Sequence, residues 1–146
     1  MSDRPIAIDL FCGAGGLAQG LTDAGFDVRW GLDNDGDAVK TYNHNHDGYP
    51  LERDIKTFSP DGSEFDVSPE KDSVCITEID ALYVEPGKVD LIAGCPPCPT
   101  FSKVGRSKIR SFDGEAPERD ERHELYLEFL RLVDHYRPKA FMMENV

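Results

Sequence analysis

The chain has 146 residues, which suffices for one domain around a single core but for little more. Its 28 Asp and Glu residues outnumber its 16 Lys and Arg residues, and the net charge of -12 is opposite in sign to that of most duplex-binding proteins. The sequence shows no secretory or membrane-spanning stretch, and its four cysteines lack the regular spacing of a disulfide framework. We therefore expect a reduced, cytoplasmic protein that does not bind a membrane.

Two explanations of the acidic composition remain open. Either the partner is not a nucleic acid, or the protein works at high salt, where an acidic surface maintains solubility and phosphate attraction is screened. The low lysine content and the Asp-rich stretches favour the second, halophilic explanation.

Apolar runs and turn signals alternate along the chain as strands and helices. The segment 56–77 interrupts this pattern with Ser, Pro, Asp, Gly and Glu, and it predicts a solvated insertion rather than a core element. The pattern predicts strands over 6–11, 26–32, a short stretch ending near 54, 89–93 and 140–143, and helices over 17–24, 35–45, 78–83 and 125–136. Strands that alternate with helices imply an α/β fold with a mostly parallel sheet covered on both faces.

A glycine-rich turn follows the first predicted strand. Gly13, Gly15 and Gly16 would let the backbone approach a ligand closely, although such a turn can also serve only to pack a helix on a strand. The second strand leads to Asp33, 17 residues after Gly16, where a carboxylate could accept hydrogen bonds from ribose hydroxyls. Asp33 could instead cap the following helix. Both roles place it at the carboxyl end of the strand.

A stiff turn, Pro96-Pro97-Cys98, follows the strand over 89–93. Two prolines restrict the backbone, so the Cys98 thiol is presented with little conformational freedom to lose, as suits a nucleophile. Cys95 and Cys98 also form a C-x-x-C pair, which could be a redox dithiol or half of a zinc site. No second pair at ligand spacing accompanies it, so we expect no metal.

The loop after Cys98 reverses the overall charge of the chain. It has no acidic residue from Thr100 to Phe112, which suits contact with phosphates, although a solvated loop with chance clustering of charge is the alternative. The candidate nucleic-acid-binding residues are Ser102, Lys103, Arg106, Lys108 and Arg110. Glu144 directly follows the last predicted strand, and its carboxyl group can point into the same crevice as Cys98.

The glycine-rich turn over 9–16, the Pro-Pro-Cys turn and the closing Glu144-Asn145-Val146 together resemble the cytosine carbon-5 DNA methyltransferases. This resemblance implies a Rossmann-like core that binds S-adenosylmethionine (SAM) and acts on DNA. It makes Cys98 the nucleophile, Glu144 the acid and Asn145 the orienting neighbour of that acid. Pro99 stands where the family usually has Gln.

The resemblance also implies a set of cofactor-binding residues. Phe11 and the three glycines would line the pocket, Asp33 would bind the ribose and Asp54 would recognise the adenine amino group. Leu125 would add an apolar contact, although it could equally be the first core residue of its helix. The remaining members of the set are Asn34, Ile55 and Pro97.

The match ends at the sixth motif of the family, and its target-recognition region has no counterpart here. We therefore expect a partial catalytic domain over 1–146 that is inactive alone and is completed by a C-terminal half or a second polypeptide. Two alternatives remain open: an enzyme that methylates tRNA cytosine, and a non-catalytic SAM-binding fragment.

Overall fold

The computed structural model describes residues 4–46, 48–60, 84–97 and 124–144. These residues form five strands and three helices. In chain order they are β1 (Ile6–Leu10), α1 (Gly16–Asp23), β2 (Asp27–Asp33), α2 (Gly36–Asn45), β3 (Pro50–Glu52), β4 (Leu91–Gly94), α3 (Leu125–Tyr136) and β5 (Ala140–Met143). The predicted helix over 78–83 lies outside the described residues.

The five strands form one parallel sheet in the order β3-β2-β1-β4-β5. From β1 the chain proceeds to one side through β2 and β3, and β4 and β5 then lie on the other side. In such a sheet, ligands bind beyond the carboxyl ends of the strands where the order reverses, which is here between β1 and β4. The α/β, Rossmann-like fold is confirmed.

Alternate residues of each strand face opposite sides of the sheet, and both sides are covered. On one side Ile8 and Ile92 pack with Phe129 and Leu132 of α3 in the larger core cluster. On the other side Ala7 and Ala93 pack against α1. Burial of both faces explains why β1 and β4 read as nearly continuous apolar runs, whereas β5, at the edge of the sheet, is apolar but exposes Phe141 and Met142.

The ends of α1 and α2 follow from local chemistry. Gly25, at φ 94°, ends α1 as predicted, because its N–H donates to Thr22 O while the Phe26 N–H donates to Leu21 O. Ala24, predicted as the last residue of this helix, is its exposed C-cap. The helix over 125–136 and the strand over 140–143 have the predicted bounds, and the other predicted boundaries differ by one or two residues, as at β3, which ends at Glu52 rather than near 54.

The prediction of a solvated insertion from residue 56 onward is wrong at its beginning. Phe58 is almost fully buried, and its ring centroid lies 5.6 Å from that of Trp30. Because its sequence neighbours are polar, the sequence did not indicate that the Phe58 side chain packs in the core. Residues 61–77 of the predicted insertion lie outside the described residues.

Candidate functional site

A cavity of about 310 Å³ opens beyond the carboxyl ends of the strands. Its lining comes from the turn after β1, the ends of β2 and β3, the turn after β4 and the start of α3. The lining residues are Phe11, Leu32, Asp33, Asn34, Arg53, Asp54, Ile55, Pro97 and Leu125. The structure therefore brings together all the predicted cofactor-binding residues except the three glycines.

Two lining residues were not predicted. Leu32 is the penultimate residue of β2, and Arg53 directly precedes Asp54. Each is next to a predicted site residue in the sequence, and this was the only indication that it could line the cavity. Since strand residues alternate between the two faces, periodicity alone did not indicate which neighbours would reach the cavity.

The glycine-rich turn has a left-handed backbone at three positions, Phe11 (φ 58°), Gly13 (φ 52°) and Gly15 (φ 94°). A Cβ atom on Gly15 would collide with the His46 and Tyr42 rings, whereas one on Gly13 would meet nothing within 4 Å. Gly15 therefore lets α2 pack against the turn, which is the packing role left open from the sequence. Gly13 leaves open space, as close approach of a ligand requires.

Asp33 fastens this turn to the end of β2. Its Oδ2 accepts a hydrogen bond from the Gly13 N–H at 2.8 Å, and its Oδ1 accepts one from the Asp35 N–H at 2.9 Å. The cap of α2 is Asp35, whose side chain accepts from the Asp37 and Ala38 N–H groups. Asp35, and not Asp33, therefore caps this helix. Each Asp33 oxygen has a further lone pair for a ligand hydroxyl.

Asp54 begins a short turn at the cavity wall. Its Oδ1 accepts a hydrogen bond from the Lys56 N–H at 3.0 Å, and its backbone oxygen accepts from Thr57 and Phe58. The Asp54 side chain is exposed, while the next side chain, Ile55, is buried in the core. Leu125, the first residue of α3, both packs against the core and lines the cavity, so its two predicted roles are compatible.

The end of β4 lies beside the end of β5. The Glu144 N–H donates to Gly94 O at 3.0 Å, and this places the Glu144 carboxylate near enough to the Cys95 thiol to act on its pKa. Partial burial and this carboxylate raise the pKa of Cys95, although much of the residue is exposed. The Glu144 side chain therefore reaches the beginning of the Pro-Pro-Cys turn.

A raised pKa keeps Cys95 in its thiol form, and the thiol is a poor nucleophile and a poor metal ligand. Within the described ranges there is no group of three or more His, Cys, Asp or Glu residues that could hold a metal ion. Over the same residues, no helix has both the length and the apolar character needed to cross a membrane.

Several predicted site residues lie outside the described residues. They are Cys98, Ser102, Lys103, Arg106, Lys108, Arg110 and Asn145.

Sequence reasoning missed Asp9, a fully buried carboxyl group in the middle of the sheet. Within the described part of the chain neither of its oxygens has a hydrogen-bond partner of ordinary geometry. Burial raises the pKa of Asp9 to about 7, the Asp33 charge adds to the shift, and the nearby Ala18 N–H opposes it. Asp9 in turn helps burial to raise the pKa of Cys12 to about 12. An acid within an apolar strand was the signal that could have identified it.

Comparison with curated proteins finds type II methyltransferases. The chain is 36% identical to M.AgeI of Thalassovita gelatinovora over 95% of its own length and 27% of that protein. It is 34% identical to M.AquIA of Picosynechococcus over 95% of its length and 47% of that protein. The chain thus spans between about a quarter and a half of these relatives.

Solved structures give the same result. An E. coli prophage protein described as a DNA modification methyltransferase superposes with a TM-score of 0.67 at 29% identity, over 98% of this chain and 32% of that one. The Dnmt2 methyltransferase of S. pombe shares the fold, with a TM-score of 0.58 at 22% identity, over 99% of this chain and 35% of that one. Residues 6–146 match the model of the C-5 cytosine-specific DNA methylases, and the chain belongs to that family.

Proposed function

We propose that this chain is the cofactor-binding and nucleophile-bearing part of a SAM-dependent DNA (cytosine-5) methyltransferase. One observation carries the proposal beyond family membership. The cavity gathers Asp33, Asp54 and Leu125 from three separate elements, together with Pro97 of the turn that leads to Cys98. A cofactor in this cavity would therefore lie beside Pro97, which directly precedes the proposed nucleophile in the sequence.

The described residues fit an adenosine-containing cofactor. Asp33 offers oxygen lone pairs to ribose hydroxyls, and Asp54 offers its carboxylate to the adenine amino group. Phe11, Ile55 and Leu125 provide apolar walls around a flat ring. SAM, when bound, supplies an electrophilic methyl group.

The proposed chemistry begins at Cys98. Its thiolate adds to carbon 6 of cytosine, and Glu144 donates a proton or hydrogen bond to ring nitrogen 3, where negative charge develops. Carbon 5 becomes nucleophilic and takes the methyl group. Loss of the carbon-5 proton to a base and cleavage of the sulfur–carbon bond then restore the ring. The contact between Glu144 and the start of the nucleophile turn supports this pairing.

DNA is the proposed macromolecular partner, and the basic residues from Lys103 to Arg110 are proposed to contact phosphates while the target base is extruded. Base extrusion and sequence reading also require a target-recognition region, which this proposal assigns to residues outside the 146. We therefore propose that the chain alone does not methylate DNA. Methylation of tRNA, but not of DNA, by the complete enzyme would refute the assignment of DNA as substrate.

Calorimetry of the folded chain with SAM tests the cofactor site. We expect measurable binding, weakened by Asp33→Ala by about 1–3 kcal/mol because charge-assisted hydrogen bonds are lost. Asp23→Ala, at an exposed position of α1 outside the cavity lining, is the matched control and should leave the affinity unchanged. A folded wild-type chain that binds no SAM would contradict the proposal.

A further inference from the structure

The side chain of Arg131 connects α3 to the turn that carries Asp54. Its Nη2 donates to the backbone oxygens of Ile55 at 2.8 Å and of Phe58 at 3.1 Å, across more than 70 residues of sequence. Its Nε donates to Glu128 Oε2 at 2.7 Å, one turn earlier on α3. One guanidinium therefore makes three hydrogen bonds, two of them to the turn that carries Asp54.

The segment Asp54–Phe58 is a single helical turn, defined by hydrogen bonds from the Thr57 and Phe58 N–H groups to Asp54 O. Its beginning is closed by the Asp54 side chain, which accepts from the Lys56 N–H. Two of its carbonyl oxygens, those of Ile55 and Phe58, accept hydrogen bonds from the Arg131 guanidinium of another element. A cation suits the carbonyl end of a turn because the partial charge there is negative.

The side chains of this turn are fixed independently. Ile55 and Phe58 are buried in the main core, so apolar contacts hold one side of the turn. Asp54 lies on the other side and is exposed at the cavity. The backbone orientation between these two sides, together with the Lys56 N–H, directs the Asp54 side chain, and Arg131 binds that backbone.

The helix that carries Arg131 also reaches the cavity at its first residue. Leu125 lines the cavity, and Arg131, six residues later, binds the backbone oxygen of Ile55, another lining residue. The helix α3 therefore contacts the cavity lining both directly and through this guanidinium.

We propose that Arg131 is a positioning residue for the cofactor, which it never touches: it orients the Asp54–Phe58 turn so that Asp54 and Ile55 form the adenine wall. The inference rests on the proposed function, since it assigns adenine recognition to this wall. Lysine would not replace arginine fully, because an ammonium group lacks the planar fork that serves Ile55, Phe58 and Glu128 together.

The test compares Arg131→Met and Arg131→Lys with Lys139→Met in the full 146-residue chain. Lys139 pairs with Asp90 at the far end of the sheet, so its removal also deletes a tertiary ion pair, but one remote from the cavity. The first measurement is hydrogen exchange of the Thr57 and Phe58 amides without cofactor. We expect Arg131→Met to accelerate exchange about tenfold, Arg131→Lys to do so less, and Lys139→Met to leave it unchanged.

The second measurement is SAM affinity of the folded variants. We expect the Kd to rise about 3- to 30-fold for Arg131→Met, with partial recovery for Arg131→Lys and no change for Lys139→Met. Should Arg131→Met fail to fold, the Lys variant provides both readouts.

Unchanged exchange at Thr57 and Phe58, or equal acceleration throughout the chain, would overturn the inference, as would an unchanged Kd in a wild type that binds SAM. A wild type that binds no SAM refutes the proposed function instead, and local acceleration of exchange in that case still supports Arg131 as the anchor of the turn.

Discussion

Replacement of Asp9 by Asn should stabilise this protein, and increasingly so as the pH rises. Asp9 is fully buried, and burial is the main reason that its pKa rises from 3.8 to about 7. Asn has nearly the same shape and does not ionise. Its side-chain oxygen can also take the place of the carboxylate near the Ala18 N–H.

The sign follows from proton linkage. A carboxyl group with a raised pKa in the folded state binds more protons folded than unfolded between pH 3.8 and about 7. The free energy of unfolding therefore falls as the pH rises through this window and levels off above it. A shift of roughly three units at about 1.4 kcal/mol each sets the full penalty at about 4 kcal/mol. Between pH 5 and 8 the wild type should lose about 2–3 kcal/mol relative to Asp9→Asn.

Urea unfolding at fixed ionic strength, at pH 5, 6, 7 and 8, measures this difference. Asp23→Asn is the matched control, because Asp23 is an exposed residue at the end of α1. It should change the free energy of unfolding by less than about 0.5 kcal/mol at each pH. If the difference between Asp9→Asn and wild type is constant from pH 5 to 8, Asp9 does not titrate as argued, and the reasoning from burial is refuted.

Three further predictions concern the turn and the chemistry. Gly15→Ala should lower the free energy of unfolding by about 2–4 kcal/mol, because the added methyl group would collide with two aromatic rings and the backbone has φ 94°. Gly13→Ala should lower it by only about 1–2 kcal/mol, and equal losses in denaturant unfolding would contradict this. In a complete enzyme containing this chain, DNA with 5-fluorocytosine should become covalently joined to the protein, and mass spectrometry should find the adduct abolished by Cys98→Ser but kept by Cys95→Ser; an adduct lost equally in both variants would support the dithiol interpretation instead. Glu144→Gln should slow adduct formation about 10²- to 10⁴-fold, and an unchanged rate would remove Glu144 from the mechanism.

The sequence alone determined the order of the elements and most of the cavity lining. A strand buried on both faces can be recognised from the sequence because it forms an apolar run. The end of α1 can also be recognised, because Gly25 ends the helix through local backbone hydrogen bonds. Asp33 could be placed at the cavity because parallel strands bring their carboxyl ends to one edge of the sheet. Asp54, Ile55, Pro97 and Leu125 were placed there by the resemblance of their motifs to those of the family.

The tertiary structure alone decided the contacts made across long sequence separations. Phe58 has polar neighbours in the sequence, and only its packing against Trp30 in the folded structure makes it part of the core. In the sequence, Arg131 looks like an ordinary surface residue of an amphipathic helix. Only the folded structure shows that its guanidinium binds the turn after β3. The raised pKa of Asp9 likewise arises because the sheet and α1 bury its carboxyl group. Such contacts depend on which elements become neighbours, and no local pattern of residues records that choice.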